Sequence, residues 1–339
     1  DETGGIRTNK KFPDMPAMTG YIHSKGLKAG IYTSPGPMTC AHYEGSYKHE
    51  KQDAETFADW GFDFLKYDWC TYGRVEPSKT VEDMQAPYKL MWNEVRKLKR
   101  DVVFNLCQYG MGQVWKWGGE VGNSWRTTDD LGAAANTNNL PGFYLIGLSN
   151  AEHWEYAHPG AWNDPDYILI GYIGSGNQSK KTVLTPNEQY AYMSMWSLMA
   201  APLFFSGDMA KLDPFTLNVL CNNEVIDIDQ DTLGHQAKII KNDEHGLILL
   251  KDLADHEKAV GLFNYPKETN KKSEVSNYFF WNSSDVKTTQ KMLINPSELG
   301  IKGKYKVRDV WRQKDLGEFE NNFEIDVPYH GVAFLKISQ

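Results

Sequence analysis

Short apolar runs alternate along the first two thirds of this chain with segments of helical periodicity, at about 35 residues per strand–helix unit. The runs that we interpret as strands are 26–32, 62–68, 102–107, 124–128, 162–170 and 202–206. Strands that alternate with helices are expected to be parallel, because parallel neighbours need a long crossover connection. The sequence therefore predicts an α/β fold, either a doubly wound sheet or a (β/α)8 TIM barrel of which six βα units are visible.

The segments between these runs carry helix signals. An amphipathic face is indicated by apolar residues spaced three and four apart, namely Met84, Tyr88, Met91, Val95 and Leu98. The Thr-Pro-Asn-Glu run at 185–188 is a capping box with proline at the first helical position, which predicts a helix through Met199. An earlier helix is expected to end near Ser24, where Gly26 suits a C-terminal cap.

The positions of the polar residues favour the barrel. No Gly-rich phosphate turn follows the first strand, which argues against a dinucleotide-binding sheet. Polar residues instead cluster where strands end, at Asp68, Gln108, 126–130 and Asn163–Asp164. Because barrel active sites form at the carboxyl ends of the strands, we expect these residues to line one cleft.

The pattern changes near Asp231. Short alternating segments separated by polar turns follow, at 246–250, 259–263, 305–311 and 332–337. No long helical period interrupts them, which is typical of an antiparallel β-sandwich. We therefore predict a catalytic barrel domain at 1–230 and a C-terminal β domain at 231–339.

Composition excludes several classes of protein. Hydrophobic residues make up 41% and charged residues 24% of the 339 residues, as in globular chains. The net charge is −8 without a block of Lys or Arg, so nucleic acid and anionic membranes are not expected partners. No apolar run approaches the roughly 18 residues of a membrane span. The four cysteines form no CxxC pair, so no metal site is expected, and we expect no cofactor. The oligomeric state stays open.

Acidic residues in two segments of the chain suggest a catalytic function. In the run 62–68, Lys66 and Asp68 share one face of the strand, where a structural ion pair explains them as well as a functional one. Asp129 and Asp130 follow Arg126, where a polar loop or a helix cap is the plain alternative. Two carboxylates at one cleft are the minimum for glycoside hydrolysis. Lys66 would keep the Asp68 nucleophile ionised, while Asp130 serves as the general acid. Several tryptophans near these strand ends could stack on a sugar or simply fill the core: Trp115, Trp117, Trp125 and Trp162.

The chain resembles glycoside hydrolase family 27, which contains α-galactosidases, α-N-acetylgalactosaminidases and β-L-arabinopyranosidases. The resemblance spans about residues 10–235. It is carried by the motifs LKYDWC at 65–70 and SWRTTDDL at 124–131, with HSKGLKAGIY at 23–32, PGAWNDPD at 159–166 and MAAPL at 199–203.

The resemblance implies roles for individual residues. Asp68 matches the nucleophile and Asp130 the acid/base of the family. The expected sugar-binding residues are Tyr32, Lys66, Gln108, Arg126, Trp162 and Asp164. Cys40 and Cys70 match a family disulfide, whereas Cys107 and Cys221 are expected to be thiols. Such a disulfide places the protein in the periplasm or outside the cell.

The chain departs from the family in two places. Gln108–Tyr109 stands where the galactosidases commonly carry Glu-Trp, whose glutamate binds the 2-hydroxyl of the sugar. The Gln108 amide can still form a hydrogen bond with a hydroxyl, but it argues against a 2-acetamido sugar. The first two βα units, about 60 residues, have no counterpart. A barrel without those units would have open edges and an unfilled interior, so we expect either a fragment of a longer gene product or a neighbour that supplies the rest. The absence of an initial methionine indicates a processed or partial product.

From these features we predict a retaining exo-glycosidase that releases terminal α-D-galactosyl residues from oligo- or polysaccharides. The alternatives are a β-L-arabinopyranosidase of the same family and a non-catalytic carbohydrate-binding homologue. A retaining mechanism predicts that the carboxyl groups of Asp68 and Asp130 lie roughly 5–6 Å apart. The two-residue alternation predicts that Asp129 points away from the cleft.

Overall fold

The computed structural model describes residues 1–131, 140–174, 179–243, 245–265 and 288–339. These form two compact units, residues 1–127 and 128–339. The described α-helices are α1 (Met15–Ser24), α2 (Glu50–Asp59), α3 (Val81–Val95), α4 (Leu140–Ala151), α5 (Pro186–Leu198), α6 (Pro214–Leu220) and α7 (Asn223–Asp229). The described strands are β1 (Gly30–Thr33), β2 (Phe64–Asp68), β3 (Val103–Cys107), β4 (Ser124–Arg126), β5 (Trp162–Asp164), β6 (Tyr172–Ile173), β7 (Lys180–Lys181), β8 (Lys238–Asp243), β9 (Gly246–Asp252), β10 (Lys258–Phe263), β11 (Gln290–Ile294), β12 (Tyr305–Asp309), β13 (Lys314–Phe319), β14 (Phe323–Val327) and β15 (Val332–Ser338).

The first unit is built on four neighbouring parallel strands, β1 to β4. Helices α2 and α3 form the crossovers from β1 to β2 and from β2 to β3. The register places Tyr32 beside Lys66, and Asp68 beside Cys107 at the carboxyl ends of β2 and β3. This is the parallel strand–helix repeat predicted from the alternation of apolar runs, and it brings the polar strand ends to one edge.

Helix α3 confirms the predicted amphipathic face. It begins at a capping box in which the Thr80 hydroxyl accepts from the Asp83 N–H, and the Asp83 carboxylate accepts from the Thr80 N–H. Tyr88 and Met91 are fully buried, and the Tyr88 ring packs edge-on against Tyr67 of β2 at 5.8 Å. Helix α3 thus packs on the outer face of β2, and the polar residues Lys66 and Asp68 lie on the opposite face of that strand.

The last two predicted strands of the strand–helix region differ most from their expected bounds. The run 162–170 is a strand only over Trp162–Asp164, because Pro165 lacks an amide hydrogen and Asp166 has a left-handed backbone at φ 82°. The run 202–206 contributes only an isolated parallel bridge between Ile168 and Phe205. The predicted strand of 202–206 is therefore wrong as an element of regular structure.

The second unit contains helices α4 to α7 and the antiparallel β region. Six strands form one sheet in the order β13-β12-β15-β10-β9-β8, and β11 pairs with β14. Helix α5 begins at the predicted capping box of Thr185 and Glu188 and ends at Leu198. It is buried among the core of this unit, where the Trp311 indole N–H donates to the Ser194 hydroxyl at 2.8 Å. The predicted fold class, barrel-type βα units followed by an antiparallel β domain, is confirmed.

None of the helices in the described ranges is both long enough and apolar enough to cross a membrane.

Helix α2 carries a buried acid. Asp53 is 1% exposed, and neither of its carboxylate oxygens has a hydrogen-bond partner of normal geometry among the described residues. Burial raises the pKa of Asp53 to about 6; the nearby Ser46 hydroxyl and His49 oppose the rise, and Glu50 adds to it. The folded protein therefore holds this carboxyl proton more tightly than the unfolded chain does.

Replacing Asp53 tests this linkage. A raised folded-state pKa gives stability that is present below about pH 4 and is lost as the pH rises through about 6. The variant Asp53→Asn has no carboxyl group to titrate at this position and so lacks this loss. Between pH 4 and 7 we therefore expect the free energy of unfolding of the wild type to fall by roughly 1–2 kcal/mol more than that of the variant. Denaturant unfolding across this pH range measures the difference. Asp59→Asn, an exposed carboxyl on the same helix, should keep the wild-type slope; equal slopes for Asp53→Asn and wild type would contradict the account.

Candidate active site

The candidate site is built at the carboxyl end of β2. Leu65 and Tyr67 are buried on the helix-facing side of this strand, which leaves Lys66 and Asp68 on the opposite face. Asp68 is only 7% exposed. Taking a carboxylate out of water is costly unless donors replace the water, so its surroundings decide what it can do.

Two tyrosine hydroxyls supply such donors. Tyr32 of β1 donates to Asp68 Oδ2 at 2.9 Å, and Tyr109, just after β3, donates to Asp68 Oδ1 at 2.6 Å. Each oxygen of the carboxylate thus accepts a hydrogen bond from a phenol hydroxyl near the end of a neighbouring strand. The paired donors hold the carboxylate in one orientation, as a positioned nucleophile requires.

Tyr32 stays a proton donor. Partial burial, together with the negative charge of Asp68, raises the pKa of the Tyr32 hydroxyl well above its ordinary value. Its oxygen also lies 3.1 Å from Cys70 Sγ. Cys70 is joined to Cys40 by a disulfide, with Cα atoms 5.2 Å apart, so the predicted bond is present. It ties the loop after β1 to the residue two positions beyond Asp68.

The next strand ends bring a cation and an amide. Arg126 of β4 is 1% exposed, and its Nη1 lies 3.7 Å from the Cys107 thiol sulfur. Gln108 is equally buried, yet neither its amide nitrogen nor its amide oxygen has a hydrogen-bond partner in the described part of the chain. An unsatisfied buried amide costs about 1–3 kcal/mol, which favours a ligand or water that satisfies it.

Asp129 and Asp130 lie beyond the end of β4. The strand stops at Arg126, and both aspartates are exposed in the bend that begins the second unit. Because neither Asp129 nor Asp130 belongs to a strand, the alternation of side chains along a strand does not apply to them. The predicted direction of the Asp129 side chain stays a prediction. The predicted separation of the Asp68 and Asp130 carboxyl groups stays a prediction.

The remaining candidates lie on or near β5 and β4. Asp164 is buried, and its Oδ1 accepts from the Asp166 N–H at 2.8 Å, so this oxygen closes a turn. Trp162 is half-buried, and its indole lies against the Gly234 turn. Trp117 and Trp125 are 6% and 1% exposed, as expected for core residues. Their burial favours the plain structural interpretation over sugar stacking.

Tyr109 is the site residue that sequence reasoning missed. The sequence distinguishes it only as part of a departure from the family pattern, at Gln108–Tyr109. The available signal was its position, since Tyr-Gly directly follows a strand whose end lies beside Asp68. A turn was therefore predictable there, but the direction of the phenol was not.

Comparisons with known proteins identify the family of the chain. Residues 1–231 match the family model for alpha galactosidase A, and residues 247–337 match the model for the alpha galactosidase C-terminal beta sandwich domain. The chain therefore belongs to the α-galactosidase family, glycoside hydrolase family 27, and is a hydrolase of O-glycosyl bonds. The resemblance drawn from its motifs is confirmed.

Individual relatives cover most of the chain. Alpha-galactosidase A of Cellvibrio japonicus is 34% identical over 348 aligned positions, which cover 100% of this chain and 79% of that protein. The structure of α-galactosidase I from Mortierella vinacea superposes with a TM-score of 0.80 at 26% identity, covering 96% of this chain and 80% of the other. A family 27 β-L-arabinopyranosidase from Geobacillus stearothermophilus shares the fold, with a TM-score of 0.78 at 21% identity over 96% of this chain and 77% of that chain.

The disulfide is expected to stabilise the first unit. Its partners are 30 residues apart, and removing it with the double variant Cys40→Ser, Cys70→Ser should lower the free energy of unfolding by roughly 3 kcal/mol. Denaturant unfolding monitored by tryptophan fluorescence measures this loss. Cys221→Ser, which changes an exposed thiol, should leave stability unchanged. Mass spectrometry of the natively produced protein that finds Cys40 and Cys70 both reduced would refute the bond.

Proposed function

We propose that this protein is a retaining exo-glycosidase that hydrolyses terminal α-D-galactosyl residues of oligo- or polysaccharides. The observation that carries the proposal is the Asp68 carboxylate, buried at the end of β2 with a phenol donor on each oxygen. The named activity of its relatives, α-galactosidase, supports the choice of sugar.

In the proposed mechanism Asp68 is the nucleophile and Asp130 the acid/base. Asp68 attacks the anomeric carbon as the bond to the leaving oxygen breaks, and Asp130 gives its proton to that oxygen. Asp130 then takes a proton from water while the water oxygen bonds to the anomeric carbon. The sugar–Asp68 bond breaks, and its electron pair returns to the carboxylate.

Gln108 supports a sugar that has a free 2-hydroxyl group over one that has a 2-acetamido group. Its buried amide, unpartnered among the described residues, can donate to and accept from a sugar hydroxyl. We assign it to the 2-hydroxyl of the galactosyl unit. We assign Tyr32, Lys66, Arg126, Trp162 and Asp164 to the same sugar-binding site.

The proposal extends to domain bounds and location. The two family-model matches, at 1–231 and 247–337, support a catalytic domain at 1–230 and a β domain at 231–339. A periplasmic or extracellular location is supported by the Cys40–Cys70 disulfide, because such bonds persist in oxidising compartments.

A panel of chromogenic glycosides tests the activity. We expect p-nitrophenol release from the α-D-galactoside, and weaker release from the β-L-arabinopyranoside, which has the same ring stereochemistry but lacks the hydroxymethyl group. A few kcal/mol at most separate two such substrates. The α-N-acetylgalactosaminide should be inert, because its acetamido group meets the buried Gln108. An enzyme that releases nothing from any of the three, or prefers the acetamido sugar, would contradict the proposal.

Variants of the two carboxylates test their roles. Asp68→Asn should abolish turnover of activated and natural galactosides alike, because no nucleophile remains. Asp130→Asn should slow a natural galactoside by about 10²–10⁴-fold and p-nitrophenyl galactoside far less, because p-nitrophenolate departs without protonation. Asp129→Asn is the matched control and should keep near-wild-type rates. Steady-state kinetics on both substrates measure this, and the assignment fails if Asp129→Asn shows the loss and Asp130→Asn does not.

A further inference from the structure

The backbone takes an uncommon course where β3 ends. Tyr109 has φ 63°, in the left-handed region that aromatic residues rarely adopt, and Gly110 follows at φ 82°. Such a conformation persists only where the surrounding structure imposes it, and it is found most often at functional sites. The left-handed backbone therefore suggests a functional role for Tyr109.

The bend carries the Tyr109 phenol to Asp68. Its oxygen lies 2.6 Å from Asp68 Oδ1, shorter than the 2.9 Å bond from Tyr32 to Oδ2. The two strand ends are fixed to each other, because Asp68 and Cys107 are in register and the Trp69 N–H donates to the Cys107 carbonyl at 2.8 Å. The left-handed backbone of Tyr109 thus places its hydroxyl in a short hydrogen bond to one oxygen of the Asp68 carboxylate.

We propose that Tyr109 is a positioning residue that acts through Asp68 and speeds the second step of the reaction, the release of the sugar from Asp68. This inference rests on the proposed function, in which Asp68 is the nucleophile. Tyr109 donates to the carboxylate and takes no proton from the substrate.

The effect follows from how the charge on Asp68 changes. In the first step the carboxylate loses its charge as it becomes an ester, and in the second step the charge returns as the sugar–oxygen bond breaks. A phenol bonds a carboxylate more strongly than an ester, since hydrogen bonds to ionised acceptors are the stronger ones. The Tyr109 hydroxyl therefore makes Asp68 a better leaving group in the second step. In the attack its bond weakens as the carboxylate loses its charge, so the orientation that it gives Asp68 is offset there.

The variant Tyr109→Phe separates the two steps, because it removes the hydroxyl and keeps the ring. With p-nitrophenyl α-D-galactoside we expect kcat to fall about tenfold and KM to fall with it, while kcat/KM stays within about threefold of wild type. Rapid mixing should show a burst of p-nitrophenol close to one equivalent of enzyme, because the glycosyl-enzyme accumulates. A purely structural role would instead lower kcat/KM without a burst.

The matched control is Tyr47→Phe. The Tyr47 hydroxyl donates to Glu76 Oε1 at the same 2.6 Å but lies outside the proposed site, so its loss should leave all rates unchanged. Tyr109→Phe kinetics equal to those of this control, or a fall in kcat/KM without a burst, would overturn the role of Tyr109 while the proposed function stands. A wild-type protein that hydrolyses no glycoside would overturn both.

Discussion

The site depends on one buried carboxylate whose two oxygens are both hydrogen bonded. Asp68 lies at the end of β2, and it would be costly to bury without the phenols of Tyr32 and Tyr109. Those phenols come from the ends of the strands before and after β2. The parallel register is therefore what assembles the site, because it brings three strand ends to one edge of the sheet.

The Cys40–Cys70 disulfide restrains the chain next to Asp68. Cys70 lies two residues after Asp68, and its sulfur is 3.1 Å from the Tyr32 hydroxyl that binds the carboxylate. The bond to Cys40 closes the loop that leaves β1, the strand that carries Tyr32. One cross-link thus restrains both the carboxylate and one of its donors, and loss of the bond would loosen them together.

Much of this arrangement could be predicted from the sequence. The period of two in the run 62–68 placed Lys66 and Asp68 on one face, and the period of three and four identified α3. The predicted bounds failed where individual residues redirect the chain, because Pro165 and the left-handed Asp166 end β5 early. The role of Tyr109 was not predictable, because it depends on a positive φ at a residue other than glycine, which the surrounding fold imposes.

The central claim is that Asp68 forms a covalent bond to the sugar, and trapping that bond tests it most directly. A fluorinated galactosyl donor with a good leaving group slows the second step and lets the glycosyl-enzyme accumulate. Trypsin cleaves after Lys66, Arg74, Arg126 and Lys180, so Asp68 and Asp130 fall in separate peptides. We predict the added sugar mass on residues 67–74, located to Asp68 by fragmentation. A label on residues 127–180, or an unlabelled enzyme that hydrolyses galactosides with inversion, would contradict the account.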